Sequence, residues 1–146
     1  MHTDSFQDLV ARFHIYVSLH SSSTHAGSFN VGDGRPVSWE LKWPVVCGYF
    51  GLEGVRPEAQ VSDQIYGIEW LMAEQGSWPA WVNQNGLREN ALNDVQWDIL
   101  DTSLSNPIRI DYDLSASREI GFQETMEPEQ GYLLAFDRLR KVKFLP

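Results

Sequence analysis

Two segments alternate apolar and polar side chains with a period of two, and this pattern constrains the fold more than any other feature of the chain. In Phe13-His-Ile-Tyr-Val-Ser-Leu19, Phe13, Ile15, Val17 and Leu19 fall on one face and His14, Tyr16 and Ser18 on the other. In Pro107-Ile-Arg-Ile-Asp-Tyr-Asp-Leu114, Ile108, Ile110, Tyr112 and Leu114 oppose Arg109, Asp111 and Asp113. Successive side chains of a strand point to opposite sides, so each segment predicts a half-buried strand. Between them, Phe29-Asn-Val31 and Val37-Ser-Trp39-Glu-Leu41-Lys-Trp43 flank Gly32-Asp-Gly-Arg-Pro36. Glycine permits positive φ and proline fixes its own, so this stretch predicts a hairpin. The apolar run Val45-Val-Cys-Gly-Tyr-Phe50 reads as a third strand with a bulge at Gly48. The polar run Ser21–Gly27 reads as a loop.

Helical signals are fewer. Ser62 and Asp63 precede Ile65, Ile68, Leu71 and Met72, an N-cap followed by a stripe at helical spacing that ends near Gly76. Trp78-Pro-Ala-Trp81 and Asn85-Gly86 read as breakers, so a separate element follows. Residues 90–101 fit a helix through Leu92, Val95 and Ile99, or a strand through Val95, Trp97 and Ile99. Pro128 opens a further helix, with Glu129 in its first turn and Arg138 and Arg140 late in it, as the helix dipole favours. Tyr132, Phe136 and Leu139 would be its buried side, and Val142–Phe144 is open to a final strand instead. The expected fold class is α+β: a mainly antiparallel sheet from segments near 13–19, 28–50 and 107–114, packed by one or two helices, the helix at 62–75 being the first. The size, 146 residues, predicts one domain over 1–146.

Composition narrows the function classes. A single cysteine, Cys47, excludes an internal disulfide, and its apolar neighbours predict a buried structural thiol. No stretch approaches the ~18 uninterrupted apolar residues of a membrane span. Asp4 and Asp8 argue against a signal peptide, so a cytoplasmic protein is expected. A net charge of −9 opposes nucleic-acid and anionic-membrane binding and favours a basic protein partner. The imbalance is local. Ten acids and two arginines lie between Glu89 and Glu129, whereas Asp137 meets four bases in the last ten residues.

Asp94 and Asp98 share a face as helix or strand, Asp101 joins them in a helix, and Asp111 and Asp113 share the outward face of their strand. Clustered like charges repel, so they mark either a solvated face or a surface that steers a basic partner, with Trp97 as an aromatic anchor. Asp111 and Asp113 also invite a metal reading, joined by His14 or His25, although no fixed third ligand is evident. His14 and His20 stand roughly 20 Å apart at strand rise, too far to share one ion. There is no Gly-x-Ser-x-Gly elbow, and Gly32-Asp-Gly34 is too short for a phosphate loop. Neither a cofactor nor a metal is expected.

Trp43-Pro-Val-Val-Cys47-Gly-Tyr-Phe-Gly-Leu52, followed by Tyr66-Gly-Ile-Glu69-Trp-Leu-Met-Ala73, resembles a family of small uncharacterised acidic bacterial domains encoded beside polymorphic toxins. The resemblance covers residues 13–75 and implies an immunity role without catalytic residues. The resulting expectation is a non-enzymatic protein that neutralises a basic toxin, such as a nuclease, through Asp94, Trp97, Asp98, Asp101, Asp111 and Asp113. The alternatives are a small metal-dependent or carboxylate-based enzyme, and an adaptor whose tryptophans bind a protein.

Overall fold

The computed structural model describes residues 1–55, 73–90, 95–99 and 109–146. They fall into two compact units, one of Met1–Val55 with Ile108–Leu134 and one of Arg56–Pro107 with Ala135–Pro146. Among the described residues the antiparallel sheet is not found: the regular elements are helical, and strand-like pairing is confined to two isolated bridges, His2 to Val37 and His2 to Ile110.

In the first unit, α1 runs over Gln7–Leu19, directly through the first predicted strand. Phe13 and Val17 fit both periods, but Leu9, Phe13, Tyr16 and Val17 stand at helical spacing. The helix buries Leu9 and Phe13 with Phe122 in the core, and Tyr16, Val17, Phe29, Val31 and Ile120 pack around them. Ile15 and Leu19, on the supposed inner face of a strand, are 59% and 76% exposed. The ring of Phe13 meets Phe122 edge-on at 5.0 Å and Phe29 at 5.8 Å, arrangements that the aromatic quadrupole favours. Tyr16 donates its hydroxyl proton to the Ile120 carbonyl at 2.7 Å. Beside it Gly121 has φ +95°, and a Cβ there would lie 2.8 Å from the Tyr16 Oη. Glycine is needed there for conformation and for space.

The serine-rich segment after α1 forms a short helix, α2, Ser21–Thr24, in place of the expected loop. The second half of the supposed hairpin and the third strand together form α3, Trp39–Tyr49. A run apolar on all sides has no period to separate a buried strand from a buried helix, and Glu40 in the first turn suits the helix dipole. Gly48 is a helical residue, not a bulge. Pro44 lies inside α3, where it lacks the N–H of an ordinary helical residue. Cys47 is buried, as the apolar run predicts.

The strand predicted over Pro107–Leu114 is represented by its described part, Arg109–Leu114. Only Ile110 makes a bridge, and Ile110 and Tyr112 are exposed rather than buried. Leu114 then precedes a short helix in this unit.

In the second unit, a 3-10 turn over Glu74–Ser77 leads into α4, Trp78–Asn85. The supposed breakers are its two ends: Pro79 sits in the first turn, and Gly86 follows the last residue with φ +59°. Those are the positions at which proline and glycine suit helix termini. The short helix after Leu114, in the first unit, is α5, Ser115–Glu119, and α6, Pro128–Lys141, has the charge order expected and belongs to the first unit up to Leu134 and to the second from Ala135. Its buried positions include Pro128 and Gly131, whereas Leu139 is exposed. After α6, Lys143 has φ +64° and accepts the Arg88 N–H at 2.8 Å, so the alternative final strand does not form. The predicted helix at 62–75 lies, up to Met72, outside the described residues. No helix among the described residues is long and apolar enough to cross a membrane.

Candidate functional site: a buried lysine cluster

Lys42 is fully enclosed in the first unit, an environment lysine tolerates only when its charge is paired. It projects from α3, and its Nζ donates to Asp4 Oδ2 at 2.7 Å and to His2 Nε2 at 2.6 Å. The indole of Trp39 lies 4.6 Å away and the ring of Tyr132 5.5 Å away, both within cation–π range. Carboxylate, imidazole and two aromatic rings thus replace the water that the ammonium loses.

Three further groups complete the electrostatics. Tyr132, on α6, donates its hydroxyl to Asp4, and burial with the charges of Asp4 and Asp33 pushes its pKa up to about 12. It therefore stays a neutral donor at physiological pH. His2 titrates below its ordinary value because burial and then the neighbouring Lys42 oppose a second positive charge, outweighing Asp4. Asp33, 2% exposed, is held above the usual carboxylate range chiefly by burial. Its Oδ1 accepts the Phe6 N–H at 2.6 Å, its own N–H donates to the Asp4 carbonyl at 2.8 Å, and its carbonyl accepts from the Met126 N–H at 2.9 Å. The cluster ties residues 2–4, the 31–37 loop, α3 and α6 together. Since the ammonium is fully enclosed, this arrangement positions backbone; it does not present a reactive nitrogen.

The described residues among those singled out from sequence belong to both units. Asp111 pairs with Arg109, and Asp113 accepts from the Ser115 N–H at 2.9 Å and from its hydroxyl at 2.6 Å, at the start of α5. Those bonds lower the pKa of Asp113. One carboxylate is thus neutralised by an arginine and the other is engaged at a helix end, so the pair does not converge on a cation. No group of His, Cys, Asp and Glu able to hold a metal is found among the described residues. Trp97 is half-buried and Asp98 exposed, both in the second unit, whereas Asp111 and Asp113 belong to the first. Asp94 and Asp101 lie outside the described residues. His14 and His25 are exposed and apart from the lysine cluster.

Sequence reading passed over the cluster itself. Lys42 fell within one arm of the expected hairpin with no role of its own, Asp4 counted only against a signal peptide, and His2 carried no reading. The available signal was one basic residue within an aromatic and apolar run, Trp39–Phe50.

The profile of the PRISE-like Rossmann-fold domain family matches residues 1–146. The chain belongs to that family. Its relatives include the short chain dehydrogenase sirR of Leptosphaeria maculans, 29% identical over 96% of this chain and 37% of that protein. The short chain dehydrogenase ausT of Aspergillus calidoustus is 29% identical over 99% of the chain and 36% of its own length. An (S)-8-oxocitronellyl enol synthase, ISY2 of Nepeta cataria, is 30% identical over 95% and 35%. The chain therefore spans little more than a third of these relatives. The toxin-immunity resemblance is overturned, and with it the non-enzymatic reading and the antiparallel fold class: the family is a Rossmann-fold, α/β one, and its members include short chain dehydrogenases and an enol synthase. The resemblance rested on two short motifs, and motifs of that length have low specificity.

A Rossmann-fold family implies a dinucleotide, whose pyrophosphate sits on a glycine-rich turn at a helix N-terminus. The nearest counterpart here is Gly32-Asp-Gly34 beside the start of α1. It does not fit. The buried Asp33 carboxylate already takes the Phe6 N–H at that helix end, and its charge would repel phosphate. A Cβ on Gly32 would meet Thr3 Cγ2 at 2.7 Å, so the space beside that glycine is filled by protein.

Proposed function

We propose that this chain is part of a short-chain-dehydrogenase-like oxidoreductase acting on a small organic carbonyl compound, and that it supplies a helical portion outside the dinucleotide site. The family match across residues 1–146 carries the reading. The names of the relatives support the reaction class, two as dehydrogenases and one as an enol synthase acting in oxocitronellyl chemistry. The filled Gly32–Gly34 turn supports the division of labour, because the dinucleotide would be held elsewhere in the protein. Within this reading the Lys42 cluster sets the position of α3 and α6.

The test takes the protein at its natural length and follows nicotinamide absorbance with small aldehydes, ketones and enals as substrates. Substrate-dependent oxidation of reduced nicotinamide dinucleotide is expected with at least one class. Absence of both turnover and dinucleotide binding in the folded protein would reject the proposal.

A further inference from the structure

The contact between Lys42 and His2 excludes one protonation state. An ammonium nitrogen 2.6 Å from His2 Nε2 has only protons to offer, so that imidazole nitrogen must present its lone pair and carry no proton. The same residue holds the first few residues in place. His2 exchanges both backbone hydrogen bonds with Val37, at 3.3 and 3.0 Å. Around it the Thr3 N–H donates to the Ile110 carbonyl at 2.9 Å, and the Ile110 N–H donates to the Met1 carbonyl at 3.2 Å.

We propose that His2 is a proton-operated latch: neutral, it accepts from Lys42 and closes residues 1–4 across Val37 and Ile110; protonated, it withdraws from Lys42 and frees the segment. The groups facing it come from every element around the cluster. Lys42 and the Trp39 ring, 5.6 Å from the imidazole, belong to α3. Asp4 and the Met1 amine belong to its own segment, Asp33 to the loop beyond Asp4, and Tyr132 to α6. Among the described residues Asp4 is placed to welcome a protonated imidazole, at 3.5 Å, but its other oxygen is bound to Lys42. Lys42 is nearer and occupies the very nitrogen that must take the proton, so repulsion prevails. The depressed titration of His2 agrees in sign. Closure is complete above the ordinary histidine range and is lost as pH falls through the lowered folded-state value.

The experiment is amide exchange on the intact chain, read at Thr3, Val37 and Ile110, alongside an NMR titration of the histidine rings. From pH above the observed His2 midpoint to pH below it, protection at these amides should fall roughly tenfold beyond the intrinsic change in exchange rate, one decade being a shift of about 1.4 kcal/mol. The midpoint should coincide with that of His2, with the exposed His14 and His25 as internal references. His2→Gln keeps an acceptor for Lys42 but takes no proton, and should hold protection across the range. Protection that persists in the wild-type chain after His2 has titrated would overturn the latch. So would equal loss in His2→Gln, which would place the titration on the Met1 amine or the carboxylates. If His2→Gln folds poorly, the wild-type comparison of midpoints decides alone.

Discussion

At the scale of single residues, the unusual feature is a lysine with no exposed surface. Its stability rests on pairing: removing one partner of a buried ion pair leaves an uncompensated charge and costs about 3–5 kcal/mol. Asp4→Asn should therefore destabilise the chain by about that amount in a urea titration, whereas Lys42→Met, which removes the charge and keeps the bulk, should cost less. Tyr132 and Asp33 give the pH profile opposite ends. Tyr132 is raised to about 12, so its contribution is complete below the ordinary phenol value near 10 and is lost as pH climbs through about 12. Tyr132→Phe should flatten this alkaline limb of the stability curve. Asp33 is also raised, so its protonated form favours folding and that contribution disappears as pH rises through its folded-state value. Asp33→Asn keeps an oxygen for the Phe6 N–H and should lose that slope; an unchanged acid limb would show that the slope lies with other carboxylates. Beyond one basic residue in the apolar run Trp39–Phe50, little of this was legible in the sequence, because the partners of Lys42 stand 40, 38 and 90 positions away.

At the scale of elements, the contrast between α1 and α6 shows what local sequence can specify. The ends of α6 carry proline, then Glu129, then late arginines, and those signals act within a turn of the residue that bears them. The seven residues Phe13–Leu19 contain Phe13 and Val17, which satisfy both a period of two and one of 3.6, and only extension back to Leu9 separates the two. The two readings predict opposite mutational results. Phe13→Ala should cost about 3–5 kcal/mol through loss of its packing on Phe122 and Phe29, while Leu19→Glu should stay within about 0.5 kcal/mol. Comparable losses at both sites in chemical denaturation would restore the strand. The turn at Gly121 offers a second check: Gly121→Ala combines a left-handed backbone with a methyl group 2.8 Å from Tyr16 Oη, and should destabilise by about 1–3 kcal/mol.

At the scale of the whole molecule, the acidic excess between Glu89 and Glu129 has a different meaning from the one its sum suggests. Asp111 meets Arg109, Glu124 meets Arg12 at 2.9 Å, Glu127 meets Arg35 at 2.8 Å, and Asp113 is engaged at the start of α5. A charge count along the sequence could not see the pairs of Glu124 and Glu127, because Arg12 and Arg35 come from before the acidic stretch. The family relation was equally invisible, since the turn most like a phosphate loop is closed by its own aspartate. That closure carries a prediction at the same scale. Calorimetry of residues 1–146 with reduced and oxidised nicotinamide dinucleotides should show no stoichiometric binding, and Asp33→Asn should not create it, because Thr3 still fills the space beside Gly32. Should the 146-residue chain bind a dinucleotide tightly, and Asp33→Lys abolish or strengthen that binding, the pyrophosphate would have to lie at the start of α1 after all. The division of labour proposed for this chain would then be wrong, even if the protein proves to be an oxidoreductase.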